Sequence, residues 1–139
     1  MSKKGEKRMN ACRVHLITPV DGRETAISRE GEFSLSPSNV YLRYHEENAV
    51  VTIKLQGNQA EVDRQGDYSL QLCLQEGVWT KGMLGIGGNS GEIETFAHQI
   101  AYSESKHSLL LFLQYDLRIS GETQMMKLRI MAREKGDTV

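Results

Sequence analysis

The chain has 139 residues, 39% hydrophobic, 25% charged and 6% aromatic, and its 17 basic and 18 acidic side chains leave a net charge of -1. That length makes one domain, and the composition is that of a soluble globular protein, which excludes collagen, long disorder and a coiled coil. No apolar run approaches the roughly 20 residues of a helical membrane span, and the balanced charge offers no basic field, so neither membrane nor nucleic acid is an expected partner.

The first residues, Met1-Ser2-Lys3-Lys4-Gly5-Glu6-Lys7-Arg8, are basic and polar. Arg13 and His15 interrupt the next stretch, Asn10 to Val20, so the apolar run of a secretory signal is missing and the cytoplasm is the expected compartment. Residues 1–9 read as a solvated tail, 10–134 as the folded domain and 135–139 as a C-terminal tail. Cys12 and Cys73 fit no metal or redox spacing. In that compartment they are expected as two reduced, buried thiols.

Periodicity of two runs through almost the whole domain. Cys12 to Thr18 and Arg23 to Leu35 flank Pro19-Val20-Asp21-Gly22. Val40, Leu42 and Tyr44 alternate with Tyr41, Arg43 and His45, and Glu47-Asn48 turns the chain. Val51, Ile53 and Leu55 alternate with Thr52, Lys54 and Gln56. Gln56-Gly57-Asn58 leads into Gln59 to Gln65, and Gly66-Asp67 turns again. Tyr68, Leu70, Leu72 and Leu74 alternate with polar neighbours, and Glu76-Gly77 leads into Val78 to Ile86. Glu92 to Ile100 reads as a strand. Leu109, Leu111, Leu113, Tyr115, Leu117 and Ile119 share one face, and Leu110 and Phe112 suggest that the first half is also covered from outside. Ser120-Gly121-Glu122 turns into Met126, Leu128 and Ile130 on one face, with Lys127, Arg129 and Arg133 on the other.

No helical spacing is sustained for a dozen residues, and the two prolines, Pro19 and Pro37, sit at strand ends. Eight to ten short strands joined by tight turns make a meander. Closing it removes exposed sheet edges, whereas a Greek-key sandwich needs crossovers longer than any loop here. The expected fold is all-β, a single closed antiparallel meander barrel.

Catalytic and cofactor motifs are absent. In Gly82, Gly85, Gly87, Gly88 and Gly91, serine stands where a dinucleotide fingerprint needs its third glycine, a strand comes next instead of a helix, and no phosphate loop occurs. The cluster reads as a hairpin loop. Ser90 has no surrounding nucleophile motif. His15, His45, His98 and His107 form no metal-binding pair, and His15 and His45 point to solvent. Lys127, Arg129, Arg133 and Arg118 make a basic face without the interleaved aromatics of a nucleic-acid groove. No cofactor or metal is expected, and the sequence leans away from an enzyme.

The informative feature is polar residues on core-facing positions. The alternation that puts Leu42 inside also sends Tyr44 and Glu46 inside, and Ala60 and Val62 send Arg64 inward. A buried charge needs a partner. Glu46 and Arg64 lie on strands separated by one strand, so they can meet across it, and Tyr115 can join them. Together with Leu113 they form the candidate lining of a ligand site inside the barrel. With so few large rings to fill it, a cavity of roughly a few hundred Å³ is expected. The expected ligand is small and apolar or amphipathic. The alternative is a side-chain-filled barrel acting through its surface or a homodimer interface.

Tyr44-His45-Glu46-Glu47, then Val62-Asp63-Arg64-Gln65-Gly66, then Tyr115-Asp116-Leu117 with Gly121 beyond, resemble the YwiB-like family of small bacterial proteins. The resemblance runs from about Arg13 to Glu134 and implies a lipocalin-like barrel of the calycin group. The family is a domain of unknown function, so the resemblance implies a fold and no reaction. Where that family carries a Thr-Pro-x-Gly-like segment, this chain has Gly87-Gly88-Asn89-Ser90-Gly91.

Overall fold

The computed structural model describes residues 10–20, 23–36, 39–105 and 107–134. The expected terminal tails, the Asp21-Gly22 turn and Pro37 lie outside these residues. Ten strands succeed one another: β1 (Asn10–Val20), β2 (Arg23–Leu35), β3 (Val40–Glu46), β4 (Ala49–Gln56), β5 (Gln59–Gly66), β6 (Tyr68–Gln75), β7 (Trp79–Ile86), β8 (Asn89–Ser105), β9 (Ser108–Ile119) and β10 (Glu122–Glu134). Each pairs antiparallel with its neighbours in sequence, and β1 also pairs with β10, with Val14 opposite Ala132. The sheet is therefore a closed barrel with no free edge among its ten strands.

Strand alternation drives the closure. In β4, Val51, Ile53 and Leu55 are buried, while Lys54 and Gln56 are exposed. One apolar face per strand has a single place to go once the ring is shut. At mid-height Leu42, Ile53, Leu111, Leu113 and Ile130 meet with no side chain exposed, at 0% each. Leu113 therefore belongs to the packed middle of the barrel. The buried Thr95 is satisfied, its hydroxyl 2.8 Å from that of Thr80.

Several expectations need correction. The glycine cluster is not a loop. Gly82 and Gly85 lie in β7, and Gly91 lies in β8. Only Gly87 and Gly88 turn, with φ of +56° and +84°. Positive φ at both central residues gives the mirror-image turn whose twist matches a tight hairpin, and glycine adopts it without strain. β8 is also one long strand rather than the expected short one. A bulge between Ala97 and Gln99 inserts His98, so the inward set switches from Ile93, Thr95 and Ala97 to Ile100. Cys12 is buried as expected, but Cys73 is exposed because it faces out between Leu72 and Leu74. Leu110 is likewise exposed rather than covered. Not all histidines are merely solvated: His98 Nε2 lies 3.0 Å from Asp116 Oδ2.

The meander topology sends alternate connections to opposite ends. The ends of β3, β5, β7 and β9 and the starts of β4, β6, β8 and β10 form one mouth. The inward Tyr44, Glu46, Arg64 and Tyr115 lie toward that end.

Candidate functional site at one barrel mouth

Glu46 is the last residue of β3 and faces Ala49 of β4, whose next neighbour is Gly66 of β5. Arg64 sits two residues back along β5 and so reaches across β4 on the inner side. Its Nε donates to Glu46 Oε1 at 3.1 Å. Nη1 donates to the Tyr68 carbonyl at 2.7 Å, and Nη2 lies 2.9 Å from Asp67 Oδ1. The guanidinium also stacks on the Tyr68 ring, 3.7 Å from its centroid. All three nitrogens are engaged. Burial works against the Arg64 charge, but the bonds to Asp67 and Glu46 outweigh it and push the group above its ordinary value. Arg64 in turn holds the Asp67 carboxyl below the usual carboxylate range.

Gly66 makes this clasp geometrically feasible. A Cβ there would collide with the Asn48 carbonyl oxygen and with Ala49. Without one, the end of β5 presses against the β3–β4 turn and delivers Asp67 and Tyr68 to Arg64.

Arg64 is 11% exposed and Glu46 28% exposed. The pair forms as expected, yet it is only partly desolvated. Arg64→Ala is therefore expected to cost about 1.5–3 kcal/mol, the range for hydrogen bonds to charged groups rather than for a fully buried ion pair. A urea midpoint unchanged from the native protein would mean that the clasp adds nothing beyond an exposed pair.

Tyr44 and Tyr115 lie further in, both buried. Burial raises the Tyr44 phenol well above its ordinary value, the Glu46 charge adds to the rise, and the nearby Tyr115 phenol adds a further part. Burial pushes Tyr115 up to about 12, with a further contribution from Tyr68. The two phenols thus share the mouth interior with the clasp. Each remains a neutral hydroxyl at ordinary pH, able to donate.

Arg29 is the residue that sequence reasoning missed. Phe33 of β2 is buried, so Gly31 and Arg29 share its inward face. Val14 of β1 lies opposite Arg29. The Arg29 Nε is buried and has no hydrogen-bond partner among the described residues. Its charge lowers the pKa of Tyr44, in opposition to the burial that raises it, so the two side chains sense each other inside the barrel.

Around these groups the inward positions turn apolar again. Leu70, Leu84, Leu117 and Met126 pack on the core but are only partly buried. Beyond them Ile27, Tyr68, Ile86 and Ile119 occupy inward-phase positions at the same end and are exposed, Ile86 at 59%. This end of the barrel thus has an apolar rim and a polar inner zone above the buried middle. Tyr44, Glu46, Arg64 and Tyr115 are brought together there, whereas Leu113 lies below them. A groove of about 440 Å³ lies on the outer wall, lined by Tyr41, Lys54, Glu61 and Cys73 among others, and another of about 310 Å³ takes in the same four and, at the barrel end opposite the mouth, the inward-phase Val40, Leu55, Ala60 and Leu74. No helix among the described residues is long and apolar enough to cross a membrane.

Comparison with known proteins adds family and fold. Residues 16–130 match a family model described as a domain of unknown function, DUF1934. A crystal structure of the YwiB protein from Bacillus subtilis is similar over 94% of this chain and 93% of that one, with a TM-score of 0.70 at 18% identity. At that identity the likeness concerns the fold. No curated protein matches the chain.

Proposed function

Since the chain belongs to the DUF1934, YwiB-like family, which assigns no activity, we propose from the geometry that it is a binding module for a small amphipathic molecule. The ligand enters at the barrel mouth rather than spanning the interior, in the manner of a lipocalin-like cup. The observation that carries this reading is the apolar rim. Isolated exposed hydrophobics are ordinary, but four on inward-phase positions around one opening make an apolar ring above fixed polar groups. The same cup offers no catalytic pair, since Glu46 is held by Arg64. The cytoplasm is the compartment in which we place this role.

The test is fluorescence of an environment-sensitive apolar dye with the folded protein, and then native mass spectrometry for a co-purified molecule. Saturable micromolar binding is expected, and Ile86→Asp should abolish it by placing a charge on the rim. Dye binding that survives both Ile86→Asp and Ile119→Asp would place the apolar site elsewhere. In a second reading two copies associate through the outer wall, with the exposed Leu110 in the contact. It requires a dimer in sedimentation that Leu110→Lys dissociates.

A further inference from the structure

We infer that the ligand of this cup is an amphiphile with a carboxylate head, and that it enters head first to meet Arg29. The inference rests on the mouth-binding reading above and specifies its chemistry and orientation.

The polar groups of the mouth divide into two classes. Arg64 is spent: Glu46, Asp67 and the Tyr68 carbonyl take one bond from each of its nitrogens. Arg29 is not, because its buried Nε–H has no acceptor among the described residues. An unmet buried donor is costly, and on a cation more so, which makes an incoming acceptor worth more there than in water. The one carboxylate that, like Arg29, acts on Tyr44 is Glu46, and it does not bond Arg29. Burial keeps the Tyr44 and Tyr115 phenols protonated, and Glu46 is committed to Arg64. Beside the closed Glu46–Arg64 pair, the groups left without a charged partner among the described residues are one guanidinium and two neutral hydroxyls, donors that suit an anion.

Depth sets the orientation. Arg29, Tyr44 and Tyr115 lie inside the rim residues Ile27, Ile86 and Ile119, which are exposed. A head group bound at Arg29 therefore leaves its chain passing Leu84, Leu117 and Met126 toward the rim. The reverse orientation would put hydrocarbon against the unmet guanidinium and the charge at the apolar rim. The sealed middle of the barrel stops the ligand below the phenols.

The test is displacement of the mouth-bound dye from the full-length protein by three probes that share a ten-carbon chain: decanoate, decanol and decyltrimethylammonium. Decanoate is expected to bind about tenfold or more tightly than decanol, the size of one charge-assisted bond, and the cation more weakly than either. Arg29→Met, shown to be folded by an unchanged circular dichroism spectrum, should erase the preference while dye and decanol still bind. Arg29→Lys should restore part of it. Ile119→Asp should weaken decanoate and decanol alike, because the tail lies there. Equal binding of decanoate and decanol to the native protein overturns the inference but leaves the mouth-binding reading intact. A preference that survives Arg29→Met overturns Arg29 as the anchor. If neither the dye nor any probe binds, the mouth-binding reading itself fails.

Discussion

Phe33→Ala is expected to lower the unfolding free energy by about 3–5 kcal/mol, the usual cost of emptying a buried aromatic position. Phe33 is 1% exposed and points inward from β2, opposite Leu42 of β3. Two features hold the loss near the top of the range. β2 is hydrogen-bonded on both sides, to β1 and β3, so neither neighbour can slide in to fill the hole. Gly31, the next inward residue on the strand, brings no side chain that could swing over. Urea unfolding reads the effect as a lower midpoint at unchanged slope. Ile27→Ala, two inward positions further along the same strand beyond Gly31 but exposed, is the control and should stay within about 0.5 kcal/mol. Equal losses at the two positions would show that the barrel is not packed around Phe33.

The second large effect is alkaline. Tyr115 is raised to about 12 in the folded chain, against 10.0 for the free side chain. A folded-state pKa above the unfolded one means that the folded chain holds its proton more tightly. The stabilisation is complete below pH 10 and disappears as pH rises through about 12. Two pK units correspond to about 2.7 kcal/mol. Tyr44 shifts in the same direction and adds to the loss. Absorbance titration of the tyrosines at about 295 nm should show two late phenols among the five, released only with unfolding. Tyr115→Phe should remove one of them and flatten the fall of stability above pH 10. Titration of all five near 10 in the folded protein would place Tyr44 and Tyr115 in water.

Most of the architecture is legible from alternation alone, because a strand with one buried face writes its orientation into every second residue. That rule gives a meander of eight to ten strands, the inward Tyr44 and Arg64, and the ion pair with Glu46 across β4. It fails where pairing departs from one-to-one. The bulge at His98 flips the phase of β8 through backbone geometry that residue type does not signal, so Ile100 changes face without a mark in the sequence. It also carries no depth. Leu113 and Tyr115 have the same phase, yet one lies in the sealed middle and the other in the mouth, a distinction set by strand tilt and stagger. Arg29 was within reach, since Phe33 and Gly31 fix its phase. A charged residue four positions from the last clear core residue is easily taken for solvated surface. The glycines show the converse. Gly66 and Gly82 sit where a Cβ would strike a neighbouring strand, and composition alone does not separate such contacts from a loose turn.

The pairing of β1 with β10 has a consequence for how the chain is made. Cys12 lies opposite Glu134, so the last bonds of the ring join residues from the two extremes of the domain. Every other strand finds a partner as soon as its neighbour leaves the ribosome, through local hairpins that form quickly. The ring alone must wait until the final strand has emerged. Through most of synthesis the nascent chain is a curled ribbon of up to nine strands, with its two outermost strands unpaired on one side and its apolar lining open to water. Closure is the long-range step, and such steps are slow. The interval before closure is when edge-to-edge pairing with another chain competes best. The finished barrel is protected from aggregation by the same contact whose late arrival leaves its precursor exposed.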